Sequence, residues 1–231
     1  MVLNCSDLGT IAYTHALALQ EEIVQQRCRG EREDTLFLLE HLPVFTLGRG
    51  ADEQHLLTPR EVPVHRVSRG GEVTFHGPGQ LVGYPLVDLT RHGRDVHLYL
   101  RGLEAVLIDV LATYGITAHR EAERTGVWVG EKKIASIGVG VRRWVTSHGF
   151  ALNVTTDLSY FADIVPCGLV GVRMTSMAEL ESAPIDVAAL KPLVAATFAR
   201  YFGYKDIIWQ KDLSTPNSTL RSLNPLRLAS Q

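Results

Sequence analysis

The chain has 231 residues, 45% of them hydrophobic, and a formal net charge of −2. That is enough apolar material for one sizeable core, and too little basic excess for a generic nucleic-acid binder. No run approaches the roughly eighteen apolar residues of a spanning helix, and Met1-Val2-Leu3-Asn4-Cys5-Ser6-Asp7 lacks a basic region followed by an apolar one, so neither a membrane span nor a secretory signal is expected.

Cys5, Cys28 and Cys167 lie far apart and are odd in number, which fits neither a disulfide framework nor a zinc site with close ligand pairs. A reducing, cytoplasmic setting is the simplest one, with no metal. In chain order, Asp7 to Arg29 reads as a helix: Asp7 is placed to cap it, Ala12, Ala16, Leu19 and Ile23 fall three or four apart, and Gly30 follows as a stop. Cys28 in its last turn reads as a small core residue. Leu36-Phe37-Leu38-Leu39 is a buried-strand candidate, and Pro43 to Gly50 is a short strand and turn. His65-Arg66-Val67 leads into a glycine-rich loop and Leu81 to Val87 leads out of it.

Asp95 to Tyr114 is the clearest helix, with Val96, Leu100, Leu103, Leu107, Val110 and Tyr114 at helical spacing, Asp95 as cap and Gly115 as stop. Strand candidates follow at Ile116 to His119, Gly126 to Val129, Ile134 to Val141 and Phe150 to Val154. Asp186 to Phe202 reads as a last helix that either kinks at Pro192 or starts nearer Lys191. Residues 1–210 are expected to form one domain and residues 211–231 a weakly ordered tail. Strands grouped in sequence with a few helices predict an α+β fold, a mixed sheet flanked by helices.

Three stretches carry chemistry. The first is Arg69-Gly70-Gly71-Glu72-Val73-Thr74-Phe75-His76-Gly77-Pro78-Gly79-Gln80. Glycine permits positive φ and lets a ligand lie against bare backbone, although an ordinary hairpin loop would use the same residues. The second is Lys132-Lys133-Ile134-Ala135-Ser136-Ile137-Gly138. If both lysines lie within a strand they face opposite sides, and an inward one must be paired, deprotonated or functional. If both lie in the preceding turn, both are solvated. The third is Pro166-Cys167-Gly168, a cysteine on a shaped loop that is either a small core residue or a nucleophile. A nearby ammonium would favour its thiolate.

These stretches, running on through Leu81-Val82-Gly83-Tyr84-Pro85-Leu86-Val87-Asp88, together resemble the lipoyl(octanoyl) transferases, with the Lys-Ile-Ala-Ser-Ile-Gly and Pro-Cys-Gly motifs in the expected order. Trp144 to Val154 is a fourth matching block, and the resemblance runs from the first helix to about Met177. It implies the fold of the biotin and lipoate protein ligase catalytic domains. It implies Cys167 as acyl-thioester nucleophile and Lys133 as its partner. It implies an acyl pocket lined by Arg69, Gly70, Gly71, Glu72, Val73, Thr74, Phe75, His76, Ser136, Ile137, Gly138, Gly149, Phe150 and Ala151. The implied donor is octanoyl-acyl carrier protein, and the implied acceptors are lysines of the lipoyl domains of 2-oxoacid dehydrogenase acyltransferase subunits and of glycine-cleavage H protein. No ATP, metal or other cofactor is implied, and a monomer is expected. His76 and His148 read either as hydrogen-bonded structural residues or as catalytic ones, and Arg142, Arg143 and Arg173 as solvated charges or a patch for an acidic carrier.

Overall fold

A computed structural model describes residues 1–58, 60–122, 124–166, 171–181 and 184–210. Among them the strands are β1 (Val2–Ile11), β2 (Thr35–His41), β3 (Val44–Leu47), β4 (Val64–Arg66), β5 (Val73–His76), β6 (Gln80–Leu86), β7 (Val127–Val129), β8 (Lys132–Arg142), β9 (Val145–Asn153), β10 (Arg173–Met174) and β11 (Asp206–Trp209). The helices are α1 (Tyr13–Cys28), α2 (Val96–Ala112), α3 (Met177–Leu180) and α4 (Val187–Phe202). An eight-stranded sheet runs β10-β8-β9-β6-β2-β1-β11 with β7 paired to β8, and a three-stranded sheet runs β4-β3-β5. The large sheet is mixed: β1 is parallel to β2 and β11, while β2, β6, β9 and β8 alternate antiparallel. The expected α+β class, a mixed sheet flanked by helices, is what the chain adopts.

The continuous apolar run at 36–39 is the signature of a strand covered on both faces. Leu36 and Leu38 pack into the core under α2 and α4, whereas Phe37 and Leu39 pack into the one under α1. The expected α2 and its Asp95 cap are present, Asp95 accepting from Leu98 N at 2.9 Å. The first helix departs from expectation at its start. Asp7 caps nothing: it sits in β1 and pairs with Lys191 Nζ at 2.5 Å. The helix begins at Tyr13 after Ala12, with no side-chain cap. Forgoing a cap costs about 1 kcal/mol, and burying Leu19 and Ile23 at about 1.5–3 kcal/mol each outweighs it.

Ile116 to His119 makes only an isolated bridge, His119 to Trp128, rather than a strand. In α4 the helix starts at Val187 behind an Asp186 cap and runs through Pro192. The backbone bond that proline cannot donate is offset by Leu190, Val194, Ala195 and Phe198, all fully buried against α2 and the sheet. The glycine-rich stretch is a loop only in part, because Val73–His76 forms β5, fully buried and antiparallel to β3.

Candidate active site

The two sheets and the first turn of α1 enclose a cavity of about 240 Å³, just under the usual range of ligand clefts, roughly 300–1,000 Å³. Its wall is built from Arg69 to Thr74 and His76 on the small-sheet side and from Lys133, Ser136, Ile137, Gly138, Gly149, Phe150 and Ala151 on the large-sheet side. Alternation along β5 divides that strand's residues. Thr74 and His76 face the cavity, whereas Phe75 is placed away from it, 4.3 Å from the Tyr160 ring and packed with Phe45 and Phe161. Phe75 therefore braces the wall from behind instead of lining it.

Gly138 is what lets the two halves close. A Cβ there would lie 2.9 Å from the Gly70 carbonyl and 3.3 Å from Arg69 Cδ, while Gly70 N donates to Val139 O at 2.9 Å. Any side chain at 138 would push the loop off the sheet. Arg69, only 7% exposed, is anchored from Nη2 to Thr46 O at 2.8 Å and Thr46 Oγ1 at 2.9 Å, and from Nη1 to Gly70 O at 3.0 Å. Its guanidinium thus lies beside the cavity with its aim fixed by backbone.

Beside Arg69, whose partner Thr46 Oγ1 also lies 3.5 Å from His76 Nε2, is a cluster of rings: Tyr13, His41, His76, Tyr84 and His148. Tyr13 stacks on His76 with centroids 6.2 Å apart, and His41 Nε2 meets the Tyr84 hydroxyl at 2.7 Å. Gln80 fixes the His76 tautomer. Its Nε2 already donates to Phe75 O at 3.2 Å and Asn153 Oδ1 at 2.9 Å, so its Oε1, 2.7 Å away, accepts from His76 Nδ1. Asn153 Nδ2 in turn donates to Thr175 O at 3.0 Å. Burial lowers the pKa of His41 to about 4 and of His148 to about 4, the latter helped by the Arg69 charge. Burial, then the neighbouring His41, holds His76 well below its ordinary range, and burial raises the Tyr13 phenol to about 12. The histidines are therefore neutral near pH 7 and act as hydrogen-bonding surface.

The question that the adjacent lysines Lys132 and Lys133 left open is settled by their placement. Both lie in β8; Lys132 is exposed, with Nζ 3.8 Å from Glu179, and Lys133 is turned inward at 2% exposure. Its Nζ donates to Thr125 O at 3.0 Å and sits 5.5 Å from the centre of the Trp128 ring. β10 runs parallel beside it, Met174 in register with Lys133 and Thr175 N donating to Lys133 O at 2.9 Å. Cys167 lies outside the described residues. Arg142, at the far end of β8, is about 30 Å from Lys133 at ~3.3 Å per residue, and Arg143 begins the turn that follows.

Tyr13, Tyr84, Arg124, Thr125 and His148 also line the cavity. Tyr84 could have been found from the two-residue period that puts it on the face of Val82; Tyr13, Arg124 and Thr125 arrive through packing of distant segments and leave no local signal. Among the described residues, no three His, Cys, Asp or Glu side chains group to hold a metal ion, and no helix is long and apolar enough to cross a membrane.

Comparison with known proteins gives a consistent picture. The family described as the lipoyl protein ligase A/B catalytic domain matches residues 12–199. A protein of Geobacter sulfurreducens named octanoyltransferase is 53% identical over 193 residues, covering 84% of this chain and 82% of its own length. One of Geobacter metallireducens with the same name is 51% identical over 192 residues, covering 83% and 90%. Among solved structures, a lipoate-protein ligase A bound with ATP superposes with a TM-score of 0.69 at 16% identity, covering 92% of this chain and 89% of that one. At that identity the likeness speaks for the fold alone.

Proposed function

The chain belongs to the lipoyl protein ligase A/B catalytic-domain family, and on that premise we propose that it is an octanoyltransferase working through an acyl-enzyme on Cys167. It takes an octanoyl group from the phosphopantetheine thioester of acyl carrier protein and passes it to a lysine of a lipoyl domain. The acceptors are the lipoyl domains of 2-oxoacid dehydrogenase acyltransferase subunits and glycine-cleavage H protein.

Lys133 keeps Cys167 as thiolate, and the sulfur attacks the thioester carbonyl. The carrier's C–S bond breaks and its thiol leaves with a proton supplied by Lys133. Lys133 then accepts the proton that the acceptor amine loses as it attacks the acyl-enzyme. An amide forms and the Cys167 thiolate is released. One thioester replaces another and an amide replaces the second, so the route needs no ATP.

The observation that carries this reading is Lys133, an amine only 2% exposed yet part of the cavity wall. A buried ammonium is costly to keep where packing alone is required. The half-identical relatives named octanoyltransferase support the acyl group. Intact-mass measurement on protein incubated with octanoyl-carrier, without ATP, tests it. An octanoyl adduct is expected that Cys167→Ser loses and an apo lipoyl domain discharges. A lipoyl domain modified only when free octanoate and ATP are supplied would show the reading to be wrong.

A further inference from the structure

We propose that Glu104 is a positioning residue for Lys133, its carboxylate clamping the Thr125–Gly126 turn against which the lysine amine is aimed. The inference rests on Lys133 being the working amine of the transferase, and adds what fixes that amine in place.

Glu104 lies in α2 among Leu103, Val106 and Leu107 and is fully buried. Its Oε1 accepts from Gly126 N at 3.0 Å. Its Oε2 accepts from Arg101 Nη1 at 2.8 Å and lies 3.4 Å from Arg120 Nε. The two arginines extend the clamp along the same segment: Arg101 Nη2 donates to Ala122 O at 2.9 Å, and Arg120 Nη2 donates back to Arg101 O at 2.9 Å. The turn so held presents Thr125 O to Lys133 Nζ.

The contact leaves no slack. Gly126 has φ +135, and a Cβ there would lie 2.7 Å from Ala135 O and 3.0 Å from Lys133 Nζ, besides meeting Lys133 Cε. The Trp128 ring lies 5.5 Å from Lys133 Nζ and 5.8 Å from the Arg124 guanidinium carbon, so that both cations meet the same π system. A carboxylate buried in an apolar helix face is a poor way to gain stability, since well-packed hydrophobic replacements of buried ion pairs are often neutral or better. Its position, one hydrogen bond and one residue removed from the oxygen that receives the lysine, is what a positioning role explains.

Steady-state transfer from octanoyl-carrier to a lipoyl domain, normalised to folded protein, tests the idea. Misplacing a reacting group by an ångström can cost about a hundredfold, so Glu104→Ala is expected to lower kcat by about tenfold to a hundredfold while KM for the carrier stays within about twofold. Glu104→Gln keeps an acceptor oxygen for Gly126 N–H and is expected to recover most of kcat. Gly126→Ala, which leaves the ion cluster intact and crowds Lys133, is expected to reproduce the kcat loss and carries the test if Glu104→Ala does not fold. Wild-type kcat per folded molecule in Glu104→Ala or in Gly126→Ala would overturn the proposal, whatever happens to Tm. If Lys133→Ala abolishes transfer while those two variants do not alter it, this inference alone fails; if the wild type forms no Cys167 adduct, the transferase reading fails with it.

Discussion

β2 runs between two buried polar clusters of opposite character. At its start, Asp34 collects Arg27 Nε at 2.7 Å, the Tyr204 hydroxyl at 2.9 Å and the backbone N–H of Asp88 at 2.9 Å. Burial alone would raise the pKa of that carboxyl, but the His92 ring, Arg27 and the Asp88 N–H together lower it to about 2. At the other end, His41 joins the rings lining the cavity, where burial keeps histidines uncharged. The first cluster answers charge with charge and ties α1, β2 and the end of α4 together. The second strips charge from its rings, leaving Arg69, Glu72, Arg124 and Lys133 as the ionisable side chains of the cavity wall that are not histidine or tyrosine. Buried polar groups thus serve cohesion at one end of a strand and line the cavity at the other.

That contrast can be broken by experiment. The largest effect expected is on activity: Lys133→Ala should lower octanoyl transfer by about a hundredfold or more while circular dichroism and Tm remain close to wild type. The mirror variant, Asp34→Ala, strands Arg27 and should cost about 3–5 kcal/mol in urea unfolding with kcat per folded molecule unchanged. A kcat loss at Asp34 with stability intact would erase the distinction between the two ends.

Acid separates them more finely. A histidine whose pKa falls on folding binds its proton more readily in the unfolded chain, so its contribution is complete above about 6.5 and is lost as pH falls toward about 4. By pH 5 this should cost about 2 kcal/mol for each of His41 and His148. Urea midpoints at pH 7, 6 and 5 give the slope, and His148→Gln should flatten it. Asp34 has the same sense in a lower window, being a carboxyl whose pKa is also lowered on folding: its contribution holds above about 3.8 and is lost only as pH drops toward about 2. The cavity end should therefore loosen first. The smallest effect is that of Tyr204→Phe, which removes one hydroxyl donor from Asp34 and should cost about 1.5 kcal/mol, read in the same unfolding assay.

Much of the scaffold was legible because its signals are local. Asp95, the leucines of α2 and Gly115 define a helix by themselves, and residues 36–39 announce a strand covered on both faces. β1 was missed because Asp7 resembles a cap, and only its tertiary partner Lys191, far along the chain, shows otherwise. β5 was hidden inside a run of glycines, whose turn preference masks the buried alternation of Val73 to His76. At the site, the described residues named from sequence line one cavity with the exception of Phe75, whose orientation depends on the strand's pleat, while Cys167 lies outside the described residues. Which of Lys132 and Lys133 points inward depends on where β8 begins, a matter fixed by its pairing with β7 and β10.

The large sheet also ends unequally. Its outer strand beyond β1 is held through four residue pairs, Val2 to Cys5 against Asp206 to Trp209, whereas β10 contributes two, Arg173 and Met174. Few rungs mean a low free energy of local opening. Amide deuterium uptake should therefore begin at Thr175, whose N–H is bonded to the Lys133 carbonyl, well before it reaches Leu3 or Cys5. Lys133 pairs with that short strand and also lines the cavity, so opening there would loosen the backbone of the cavity wall while leaving the β1–β11 border undisturbed.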